Sequence, residues 1–93
     1  MTPIVTDVRF LPASPLDQQQ GLLGWVGANL GDLLRVDGFV VRRTRHGVWR
    51  VFAPERLDRT GRRHRVVDVL DADHERAIEA QILAALRERG DLR

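Results

Sequence analysis

Ninety-three residues and 10.6 kDa make room for one compact domain and exclude a multidomain enzyme. A hydrophobic share of 43% with 30% charged residues excludes disordered and membrane-spanning compositions, and the absence of cysteine excludes disulfides, thiolate metal sites and thiol nucleophiles. The net charge of +2 conceals a segregation: all fifteen cations are arginine, residues 42–65 hold nine of them against Glu55 and Asp58 for a local charge of +7, and the remaining positions sum to −5.

Residues 4–11 alternate, with Ile4, Thr6, Val8 and Phe10 on one face and Asp7 and Arg9 on the other, which predicts a half-buried strand. Pro12, Ser14, Pro15 and the polar run 17–21 predict a loop. The start of the chain has no basic head followed by an apolar run, so no secretory signal is expected, and the cytosol is the expected compartment. From Leu22 to Leu30 the apolar pattern resumes as a second strand, closed by a turn at Gly31-Asp32. Gly24, Gly27 and Gly31 match no phosphate-cradling spacing and precede no helix, so they are read as points of bulging or close approach within a strand.

Residues 33–44 predict a third strand, kinked or bulged at Asp37-Gly38. A turn at Arg45-His46-Gly47 and a strand over 48–53, stopped by Pro54, complete a hairpin. Residues 54–63 lack apolar periodicity and predict an extended loop, and residues 65–70 predict a last strand. The period then changes. Asp71 or Asp73 serves as N-cap of a helix over 72–89, Ile78, Ile82, Ala85 and Leu86 form its apolar stripe, Arg87 and Arg89 oppose its negative end, and Gly90 supplies a left-handed stop. Trp25 and Trp49 have two readings: exposed indoles stack on unpaired bases, but a chain with only five aromatics needs its large rings for the core, and both are assigned there. The whole chain, 1–93, therefore predicts a single α+β domain: an antiparallel sheet of about five strands with one C-terminal helix packed on it.

Little in the chain suggests catalysis. His46, His64 and His74 lie on separate elements without metal-ligand spacing, and Ser14 stands between prolines away from any histidine. A nuclease would need a carboxylate or histidine cluster beside the arginines, and only Asp58, His64 and Asp68 are near in sequence. No cofactor, metal, small-molecule substrate or membrane contact is expected.

The arginine block is the informative signal. A preference for arginine over lysine explains the absence of lysine but not the crowding of nine of fifteen cations into 24 positions of an otherwise acidic chain. Guanidinium forks grip phosphate in two places and stack on bases, so Arg42, Arg43, Arg45, Arg56, Arg59, Arg62, Arg63 and Arg65 are the expected contacts to a nucleic-acid backbone. The alternative is a protein-interaction module whose arginines grip an acidic partner protein.

Several residues also resemble the SpoVG (stage V sporulation protein G, septation regulator) family of small bacterial regulators. They are Val5-Thr6-Asp7-Val8-Arg9, Gly47 leading an alternating strand into Pro54, Gly61 seven residues later, Val66 and Leu70, Asp71 at the cap, and Ile78, Ile82 and Leu83 in the helix. The resemblance implies a dimer of sheet-plus-helix subunits that binds DNA, and in some relatives RNA, with limited sequence preference and a regulatory outcome. It also implies that cations after the proline matter for binding, here Arg56, Arg59, Arg62 and Arg63. The chain departs from the family after Gly61, where an aromatic, an acid and a proline are usual and Arg63, Arg65 and Val69 stand here.

Overall fold

The computed structural model describes residues 4–92. Its elements run β1 (Val5–Pro12), α1 (Pro15–Gln19), β2 (Leu22–Leu30), β3 (Leu34–Arg43), β4 (Trp49–Phe52), β5 (Glu55–Leu57), β6 (Arg63–Arg65) and α2 (Ala72–Arg89). Strands β1 to β4 form one antiparallel sheet in chain order, β5 and β6 pair as a separate two-stranded sheet, and α2 lies on one face of the larger sheet. The architecture is α+β, with the strands divided into four plus two.

Helix α2 forms where the period and caps predict it. The Asp71 side chain accepts from the Asp73 and His74 amides at 2.7 and 3.2 Å, and Gly90 closes the helix at φ +82°. Ile78, Ile82, Leu83 and Leu86 are buried, so Leu83 joins the expected stripe and Ala85 is half-buried at its margin. They meet Val26, Ala28, Val36, Phe39 and Val41 of the sheet to make the core. Side chains of α2 also reach both edge strands, where backbone groups would otherwise be unpaired. Gln81 Oε1 accepts from the Ile4 and Val5 amides of the β1 side at 2.8 and 2.9 Å, and Glu79 accepts from the Val51 amide of β4 at 2.8 Å.

Three local expectations are corrected. Strand β1 carries a bulge between Thr6 and Arg9, with Asp7 at φ +52°, so the two-residue period breaks and Val5, rather than Thr6, joins Val8 and Phe10 against the core. Residues 15–19, expected as loop, form a short helix because Ser14 Oγ accepts the Asp17 amide at 3.2 Å and Pro15 suits the first helical position. Residues 54–63, expected as an extended loop, hold β5 and the turn of a small hairpin, and the strand expected over 65–70 ends at Arg65. Every residue of β5 and β6 is exposed, so no apolar alternation betrays them. Asp58 closes their turn: its Oδ1 accepts the Thr60 amide, the Thr60 hydroxyl and the Arg62 amide at 2.8, 2.7 and 3.0 Å. The glycine reading holds at Gly24, where a Cβ would collide with the Leu11 carbonyl oxygen and the Phe10 ring.

Candidate nucleic-acid interface

Cross-strand register sorts the sheet into rows. Phe10, Val26 and Phe39 stand opposite one another on the face covered by α2. One residue along, Leu11 pairs with Trp25, Trp25 with Val40 and Val40 with Phe52, so a second apolar row crosses all four strands on the opposite face. Nothing among the described residues covers it fully: Leu11 is 65% exposed, Phe52 42% and Trp25 37%. Trp25 is therefore not a core residue, contrary to the expectation from its size. Trp49 is half-buried and packs against the core, with the Arg43 guanidinium 5.7 Å from its ring centroid.

The arginines of residues 42–65 are all exposed, but their surroundings divide them. Arg42 lies at the end of β3, and the β5–β6 hairpin brings Arg56 and Arg63 to the same side. The three line a concavity of about 580 Å³ with Leu22, Trp25, Val40, Phe52 and Leu57, and Glu55 is the one acid on its rim. Arg59 and Arg62 occupy the hairpin turn, while Arg43 ends β3 and Arg45 lies in the turn between β3 and β4. Arg50 and Arg65 are drawn away to carboxylates, Glu79 and Asp68, at 2.9 Å each. Arg42, Arg43, Arg45, Arg56, Arg59, Arg62 and Arg63 have no carboxylate within ion-pair distance among the described residues. Outside the block the pattern reverses for four of the five described arginines: Arg9, Arg35, Arg76 and Arg89 meet Asp7, Asp37, Asp73 and Asp91, and Arg87 has no carboxylate within ion-pair distance among the described residues. The sequence-predicted residues thus fall into a hairpin cluster joined by Arg42, a separate pair at the β3–β4 turn, and Arg65, which is engaged.

Folding of the hairpin also joins Asp58 to His64, with Oδ2 and Nε2 2.8 Å apart. The hydrogen bond from His64, followed by those from Thr60 and the Arg62 amide, holds the Asp58 carboxyl well below the usual carboxylate range. Both side chains are substantially exposed and each is spent on the other, the arrangement of a turn clamp rather than of a general base poised near neutrality. No group of three histidine or acidic side chains suited to a metal ion occurs among the described residues, and none of their helices is long and apolar enough to cross a membrane.

Sequence reasoning overlooked the apolar row. Its signal was present in the paired apolar residues Leu22-Leu23, Trp25-Val26 and Val40-Val41, which put bulk on both faces of a strand. Comparison of the chain with protein-family models, curated proteins and solved structures finds no match.

Proposed function

We propose that this protein is a non-enzymatic, nucleic-acid-binding regulator of the SpoVG kind, acting in the cytoplasm as a homodimer and holding DNA, and RNA by the same chemistry, through its phosphates. The observation that carries this reading is the contrast in arginine pairing. Seven of the nine guanidinium groups of one 24-residue block stand in water with no acidic partner among the described residues, while four of the five described arginines in the acidic remainder of the chain are paired. Unpaired surface cations repel one another, and an external polyanion relieves that repulsion while releasing its own condensed counterions. The hairpin presents Arg56, Arg59, Arg62 and Arg63 on a support that leaves them free to track a backbone, and a two-fold axis doubles the cationic surface.

Engagement of about five phosphates gives a slope of roughly −4.5 for log K against log salt on duplex DNA. The deciding experiment is a salt-titrated binding series on duplex DNA, single-stranded DNA and RNA with the wild type and the Arg59→Ala, Arg62→Ala, Arg63→Ala triple variant. A folded variant with a flattened salt slope supports the assignment. Unchanged affinity refutes it, and capture of an acidic protein without any nucleic-acid binding assigns the arginines to protein recognition instead.

A further inference from the structure

We propose that the uncovered face of the four-stranded sheet binds an unpaired stretch of nucleic acid, with bases stacked on Trp25 and Phe52 and the flanking phosphates held by Arg42, Arg56 and Arg63. The inference rests on the nucleic-acid reading above and adds the state of the strand that this face recognises.

Two kinds of chemistry meet here. The row Leu11, Trp25, Val40 and Phe52 is a continuous apolar strip with two rings in it, and neighbouring-strand spacing of about 4.8 Å sets those rings roughly 10 Å apart across Val40. Both rings are exposed enough to be touched on the surface. Beside them, Arg42, Arg56 and Arg63 border the same concavity without a carboxylate partner among the described residues, and Leu57 and Pro54 extend its apolar floor. The opposite flank carries Arg9, Arg35 and Asp37, where Asp37 is already engaged by Arg35 at 3.7 Å. The ligand that fits is planar and apolar over its middle and anionic along its border, which describes unstacked nucleotides.

Two other occupants fit less well. A duplex keeps its ring faces stacked inside and offers only phosphates and groove edges, so it satisfies the arginines but leaves Trp25 and Phe52 in water. A second copy docked by two-fold symmetry through this face would bring Arg42, Arg56 and Arg63 against their own counterparts, with Glu55 and Asp37 as the acids available on this face to offset them.

The test uses the full chain carrying Trp49→Phe, so that Trp25 is the sole indole, and three probes: a twelve-nucleotide oligothymidylate, its oligouridylate counterpart and a mixed-sequence duplex of the same length. Stacking predicts that both single strands quench Trp25 emission. It also predicts that Trp25→Leu, which keeps the strip apolar, weakens their binding about tenfold, equivalent to about 1.4 kcal/mol, while duplex binding stays within twofold. Phe52→Leu gives the same selectivity at a site further from the sheet centre and guards against misfolding of the first variant. Equal losses on duplex and single strands, or binding without quenching, overturn the proposal. So does a dimer, seen by sedimentation, that Trp25→Leu dissociates. If the Arg59, Arg62, Arg63 variant loses binding and Trp25→Leu does not, stacking fails while the phosphate reading stands; if the wild type ignores all three probes at low salt, both fall.

Discussion

The two faces of the main sheet are built by the same four strands and are both apolar at their centre, yet only one is covered. On the first face, Val26, Phe39 and Val41 meet Ile78, Ile82 and Leu86 of α2 and disappear from solvent or nearly so, with Phe10 half-buried against them. On the second, Leu11, Trp25, Val40 and Phe52 stand in a row across all four strands with no helix over them. An apolar residue in a strand therefore announces bulk on a face, not burial. What fills that face is decided by an element elsewhere in the chain, and where no element does so, the surface is left for a ligand.

The comparison is broken most severely from the covered side. Leu86→Ala or Ile82→Ala empties a fully buried site and is expected to cost about 2–5 kcal/mol in urea unfolding, whereas Trp25→Leu on the open face is expected to cost less than about 1 kcal/mol. Similar losses on both sides would mean that the second face is covered in solution. Next comes the arginine contrast. Removal of Arg59, Arg62 and Arg63 should flatten the salt slope by about 2.7 and lower affinity near 0.1 M salt roughly a hundredfold. Arg76→Ala, which removes only a cation already paired with Asp73, should leave nucleic-acid affinity unchanged in the same assay.

A smaller effect separates packing from pinning. Gln81→Leu keeps side-chain bulk on α2 but removes the acceptor for the Ile4 and Val5 amides, with an expected loss of about 1–2 kcal/mol. Hydrogen exchange should report that loss in β1 before β2 or β3. The mildest concerns acid. The Asp58 carboxyl is depressed in the folded chain relative to about 3.9 in an unfolded one, so its support of the hairpin is complete above that value and drains away as pH falls towards the lowered one. The Thr60 and Arg62 amide resonances should show an acid transition below the usual carboxylate range, and Asp58→Asn should abolish that transition.

Much of this architecture was readable residue by residue. The helix over 72–89, its Asp71 cap, its Gly90 stop and the turn at Arg45-His46-Gly47 all depend on partners within a few positions, and they form as predicted. The β5–β6 hairpin escaped notice because exposed charged residues carry no apolar rhythm, and its organiser, Asp58, acts through a turn rather than a core. The bulge in β1 is not legible because a single extra residue changes the facing of Val5 and Thr6 relative to Val8 and Phe10 without changing composition. For Trp25, size favours burial on average, whereas its register opposite Leu11 and Val40 places it on the face that α2 leaves bare.

The amino-acid sequence alone determined the fold class, the strand–turn–strand of β3 and β4, the capped helix and the concentration of cations in one stretch. Each of these follows from neighbours along the chain: hydrogen bonds within a helical turn, a two-residue or 3.6-residue period, or simple charge counting. The tertiary structure decided which face of the sheet is hidden and which arginines remain unspent. Those outcomes depend on groups far apart in the chain, such as Glu79 taking Arg50 at 2.9 Å and Gln81 holding Ile4 and Val5 from 77 and 76 positions away. Burial and ion pairing are properties of distance in space, and a one-dimensional order of residues does not contain that distance until the chain has folded.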